Sequence, residues 1–160
     1  MGNLVFNTGK LRLIQGATGA IDLLADGAVK LMALEVDDEP DDPDIEFVGD
    51  LLGAGDADEV TSTGYTGGFG GAGRKALASK TLAVDQANDR AEFDAADITW
   101  TGISQAGSET WVALAMVKEI TNDAASPLIH KIDTATGLPL TPNGSDITVT
   151  WDAQGILQWS

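Results

Sequence analysis

The strongest constraint in this chain is a side-chain rhythm of two. Residues 79–84 set Lys80, Leu82 and Val84 against Ser79, Thr81 and Ala83, and residues 146–151 set Ile147, Val149 and Trp151 against Thr148 and Thr150. Alternation of this kind lines the two faces of a strand and does not suit a helix. Ile98, Trp100 and Gly102 share one face of 97–103, and Leu128, His130 and Ile132 alternate with Ile129 and Lys131. Residues 109–117, ETWVALAMV, form the most apolar run and read as a central strand. Residues 90–93 and 156–159 add two short segments, and polar clusters such as 85–89 separate them. Six or seven short strands joined by polar turns predict a mainly β fold, an antiparallel β-sandwich or barrel.

The first half is less regular. Leu4, Leu11 and Ile14 fall roughly on one side of a short N-terminal helix over 3–15, despite Gly9 in its interior. Residues 28–36 read as a buried strand entered through the Asp26-Gly27 turn, and 47–52 offer one or two helical turns. A length of 160 residues suits a single domain. Its parts are a helix and strand over 1–36, an acidic and Gly-rich loop region over 37–73, and a β-rich core over 74–160.

Charge is distributed very unevenly. The chain holds 25 acids and 9 bases, a net charge of −16. Residues 31–73 carry 12 of the acids and no Lys or Arg, so the remainder, with 13 acids and 9 bases, is only −4. The block repels itself, and Pro40 and Pro43 fit neither a continuing helix nor a central strand, so a long solvated acidic loop is expected. Two other readings stay open. Asp37, Asp38, Asp41, Asp42 and Asp44 could meet a basic patch on a partner, or supply oxygen ligands to Ca²⁺, although their spacing is not that of an EF-hand. Residues 64–73, GYTGGFGGAG, hold six glycines in ten positions. They end in neither a GK[ST] signature nor a helix pattern, so a mobile loop with Tyr65 and Phe69 as contact residues is expected.

Composition removes several classes of chemistry. With no cysteine and one histidine, the chain offers no thiolate nucleophile, no Cys-ligated zinc and no multi-His metal site. His130 sits at an alternating strand position and reads as a structural histidine, and no GxSxG elbow is present. An enzyme is not expected, nor is any cofactor or metal. The acidic balance argues against nucleic-acid and anionic-membrane partners. No secretory leader or membrane span is read from the sequence, so a soluble protein made in the cytoplasm is expected. Trp100, Trp111 and Trp151 read as core, whereas Trp159, near the C-terminus, reads as a subunit-contact residue.

Several phrases in the second half occur together in a fixed order. They are Gly64-Tyr65-Thr66, then AEFDAADITW over 91–100, then TVTWDAQGIL over 148–157. This order resembles a family of small tailed-bacteriophage virion structural proteins, some of them head decoration proteins. The likeness covers roughly 64–160, with a weaker likeness of layout over the first 36 residues. The acidic stretch 37–59 and the glycines of 70–73 look elaborated relative to the family outline.

The resemblance implies a capsid decoration (cement) protein that binds the major capsid protein lattice and acts as a homo-oligomer, with a trimer favoured. Its place would be the virion surface after synthesis in the host cytoplasm. A tail or fibre component involved in host attachment is the alternative. The expected contact residues are Asp37, Asp38, Asp41, Asp42, Asp44, Tyr65, Phe69 and Trp159.

Overall fold

The computed structural model describes residues 4–14, 21–24, 27–37, 42–53 and 57–159. In chain order its first elements are β1 (Leu4–Val5), α1 (Asn7–Ile14), β2 (Val29–Asp37), α2 (Val48–Gly53), β3 (Ala57–Glu59) and β4 (Lys75–Ala76). There follow β5 (Thr81–Asp85), β6 (Arg90–Asp94), β7 (Ile98–Trp100), β8 (Ala113–Lys118), β9 (Leu128–Ile132), β10 (Ile147–Val149) and β11 (Leu157–Trp159). A single 3₁₀ turn, Asp123–Ala125, lies between β8 and β9. The fold is mainly β, and every strand pairing is antiparallel.

The largest sheet runs β1-β9-β8-β2-β3, with β4 also paired to β2. The apolar run read as a central strand is β8, held between β9 and β2. Its register sets Met116 opposite Leu31 on one side and His130 on the other. Both faces of this sheet are covered. Leu31, Ala33, Leu114, Met116 and Ile129 pack with Trp100, Trp111, Phe93 and Ile103. Met32, Leu34, Ala115, Val117 and Leu128 pack with Phe6, Val48 and Leu51. Burial on two faces explains why β2 and β8 read as nearly continuous apolar runs. The remaining strands form a two-stranded sheet, β10-β7, and a three-stranded sheet, β11-β6-β5.

Among the described residues the sheets do not close into a barrel. The described part of 37–73 is not one loop either, since α2 and β3 lie within it. Val48, Leu51, Ala57 and Val60 are buried there, and that apolar gain fixes segments which charge alone would leave solvated. No helix among the described residues is long and apolar enough to cross a membrane.

The two longest phrases of the sequence meet in the fold. Residues 91–100 form most of β6 and all of β7, with Phe93, Ala95, Ile98 and Trp100 buried. Residues 148–157 lead into β11, which pairs with β6 at Leu157 and Phe93. Gly155 makes that approach, with φ +84° and its missing Cβ only 2.6 Å from the Phe93 carbonyl oxygen. Ile156 N–H donates to the same oxygen at 2.7 Å. The fixed order of residues in these phrases is therefore largely a packing requirement.

Candidate functional site

The Gly-rich segment follows β3, and its end is anchored by an arginine inside the protein. Arg74 has a fully buried side chain. Its Nη2 donates to Glu59 at 2.7 Å and to Asp123 at 3.0 Å, its Nε donates to Glu59 at 3.0 Å, and its Nη1 donates to Asp123 at 2.6 Å and Glu119 at 3.3 Å. Lys30 forms an ion pair with Glu119 from the other side. A planar guanidinium with five donors suits such a set of carboxylates better than a lysine would. These bonds hold Arg74 protonated, its pKa raised even though burial opposes the charge.

The same carboxylates hold the backbone of the glycine segment. Gly68 N–H donates to Glu59 at 2.9 Å, and Gly70 N–H donates to Glu119 at 3.0 Å. Tyr65 O–H donates to Glu59 at 2.9 Å while its oxygen accepts from Ala33 N–H at 3.2 Å. Burial, followed by the charge of Glu59, pushes the phenol far above its ordinary range. Tyr65 also meets Trp111 edge to face at 5.7 Å, and Trp111 meets Trp100 in the same way at 5.2 Å. Indole donors finish the network, Trp100 to the Gly73 carbonyl at 2.6 Å and Trp111 to Ser62 at 2.9 Å. A Cβ on Gly73 would lie 2.6 Å from the Tyr65 ring, so only glycine allows this packing.

The contact residues expected from sequence do not come together. Tyr65 is buried, with its hydroxyl engaged on both sides, so it is not a surface contact. Aromatic stacking and a buried hydrogen bond outweigh the freedom that glycine content suggests, and the segment is tied down. Phe69 is 44% exposed. Asp42 and Asp44 are exposed, with Asp42 accepting from Asp44 N–H and Asp44 from the Asn7 side chain at 2.7 Å. Asn7 N–H also donates to the Pro43 carbonyl, so this part of the acidic block is tied to α1. Asp37 ends β2 and pairs with Ala57, whereas Asp38 and Asp41 lie outside the described residues. Trp159 lies on β11, in a different sheet. Trp100 and Trp111 are fully buried and Trp151 partly so, its indole donating to the Ala96 carbonyl.

His130 is buried, burial pushes it down to about 4, and its Nδ1 has no hydrogen-bond partner among the described residues. Glu35 and Glu109 line one shallow hollow beside Thr61 and Thr110. Glu35 is raised by burial and by the charges of Glu109 and Asp58. Glu109 is opposed by burial but lowered overall by bonds from Ser62 and the Ala106 N–H. Both Glu109 oxygens cap the turn at Ala106, at 2.9 Å each, so this carboxylate is committed to the fold. Among the described residues no three metal-capable side chains cluster.

Sequence reasoning passed over Arg74, Glu59 and Glu119. Arg74 was legible as the first base after the acidic block, directly after a glycine segment. Its three carboxylate partners stand 15, 45 and 49 residues away, beyond any local pattern. In comparisons with known proteins, no family model, curated protein or solved structure matches the chain.

Proposed function

We propose that this chain is a bacteriophage capsid decoration protein, a structural binder of the major capsid lattice that works as a homo-oligomer and carries out no catalysis. The observation that carries the reading is the use of the buried polar groups. Arg74, Glu59, Glu119 and Tyr65 are bonded to one another and to the glycine segment, as suits a rigid binding module. The resemblance of residues 64–160 to small virion proteins supplies the partner. We read the packing of the two small sheets onto the large one as sandwich-like. The acidic surface around Asp42 and Asp44 keeps free copies apart through self-repulsion and offers an electrostatic face to a basic lattice surface. Multivalent attachment on a repeating shell then converts modest contacts into durable ones.

Quantifying the protein in purified virions tests this. Copies on the order of hundreds on the head are expected if each lattice site is occupied, and particles lacking the protein should be less resistant to heat. Exposure of Phe69 on the pinned glycine segment favours the second reading, a tail or fibre component contacting the host. A handful of copies at the tail would select it.

A further inference from the structure

A groove of about 540 Å³ runs beside β10, which among the described residues is paired on one side only. Residues 146–152 all line it, although Ile147, Val149 and Trp151 pack on the core while Thr148 and Thr150 are exposed on the other face. A hollow that touches both faces of a strand lies along its edge. That edge is the one away from β7, because no residue of β7 lines the groove. The backbone directions agree. The Ser145 carbonyl accepts from Ile103 N–H at 3.1 Å, and Trp151 N–H donates to Asp97 at 3.2 Å, so the odd-numbered residues here turn toward β7 and its flanks. Thr148 stands opposite Thr99 with the two hydroxyls 2.9 Å apart, as in a pair that exchanges no backbone bonds. The N–H and C=O of Thr148 and Thr150 therefore point into the groove. Its far wall does not take them, since Leu140 spends its own N–H and C=O on Trp111, at 2.8 Å each. Leu138 and Leu140, with Trp111 and Leu114, supply an apolar lining.

We infer that this groove takes an extended, basic segment of another polypeptide, which adds to β10 as a further strand. Three observations select that occupant. Outward backbone groups that recur at every second residue match those of an extended chain and of no compact ligand. The apolar lining suits the alternate side chains that such a chain turns toward the protein. Charge then fixes the sign of the partner. Asp146 and Asp152 stand at the two ends of the edge, and no Lys, Arg or His lines the groove. Asp146 accepts Gly102 N–H and Asp152 accepts Gln154 N–H, each through Oδ1 at 2.9 Å, and Oδ2 of each has no partner among the described residues. Six residues of extended chain span about 20 Å, so the matching segment carries Lys or Arg about six residues apart. On a chain of net charge −16, a basic segment is attracted where a second acidic copy is repelled. This goes beyond the capsid reading and does not depend on it.

NMR titration of the full chain with a synthetic nine-residue peptide tests the inference. The peptide carries valine at its odd positions, threonine at the fourth and sixth, and lysine at the second and eighth. Binding with a Kd on the order of 100 µM is expected, and added salt should weaken it. At saturation, hydrogen exchange at the Thr148 and Thr150 amides should slow at least about tenfold, because both become strand donors. Glutamate in place of both lysines should abolish binding. Thr148→Pro removes one edge donor and should weaken the lysine peptide at least about tenfold. Proline is tolerated on an edge strand where the N–H faces outward. Should that variant fail to fold, Asp146→Asn with Asp152→Asn keeps both Oδ1 acceptors. This pair should weaken binding about tenfold and remove its salt dependence. No binding up to about 5 mM peptide, binding that leaves exchange at Thr148 and Thr150 unchanged, or equal binding of the glutamate peptide would each overturn the inference. Protection of these amides by raised protein concentration alone would assign the groove to a second copy and overturn it as well.

Discussion

Replacing Arg74 with methionine keeps most of the side-chain volume and removes the charge. Asp123 is 27% exposed at its side chain and can be rehydrated, and Glu119 keeps Lys30 and the Gly70 N–H. Glu59 is left worst off. Its side chain is 9% exposed, and it retains only the Tyr65 hydroxyl and the Gly68 N–H against a full negative charge. Removing one partner of a buried pair costs about 3–5 kcal/mol. With Glu119 still paired, the lower part of that range applies, about 3–4 kcal/mol at neutral pH. For a chain of this length that corresponds to a fall in Tm of roughly 6–16 °C. Calorimetry and urea unfolding at pH 7 measure it. Adding Glu59→Gln removes the stranded charge while keeping an acceptor, so the double variant should recover about 2 kcal/mol relative to Arg74→Met. A loss under about 1 kcal/mol, or a double variant no better than the single, would refute the view that this ion cluster holds the glycine segment.

Burial depresses His130 to about 4 from an ordinary value near 6.5. The unfolded chain therefore binds the extra proton first, and this contribution is intact above about pH 6.5 and lost as pH falls toward 4. Between pH 7 and 5 the wild type should lose about 2 kcal/mol through this group, and His130→Leu should flatten that part of the curve in denaturant titrations. Tyr65 is the sole tyrosine, so absorbance at 295 nm reads its ionisation directly. Its raised pKa predicts no tyrosinate signal at pH 11 until the protein unfolds, and a stability that declines above about pH 10; early ionisation would count against its burial. Tyr65→Phe leaves the Ala33 N–H without its partner and should cost about 1–3 kcal/mol in chemical unfolding. Asp42→Asn with Asp44→Asn should change stability by no more than about 0.5 kcal/mol each, since both side chains are exposed. The same pair should alter capsid binding only if the acidic surface docks.

Strands were legible wherever period-two alternation or a long apolar run marked them. Residues 79–84, 127–133 and 146–151 overlap β5, β9 and β10, and 109–117 covers all of β8 but Lys118. The helical turns read at 47–52 are α2, one residue displaced. β1, β3 and β4 were missed, because no alternating run surrounds these two or three residues, and they are strands only through their partners. Residues 64–73 were misjudged for a related reason. Glycine content reports the unfolded chain's freedom, while the bonds from Gly68 and Gly70 to Glu59 and Glu119 depend on residues that only folding brings near. The exposure of Leu82 and Val84 was not legible, since alternation sets them on one face of a strand without saying what lies over that face.

Cryo-electron microscopy of virions carrying a labelled copy of this protein tests the central claim most directly. The account predicts label distributed over the head at lattice positions, on the order of hundreds of copies per particle. Label confined to the tail, or absent from the particle, would contradict it.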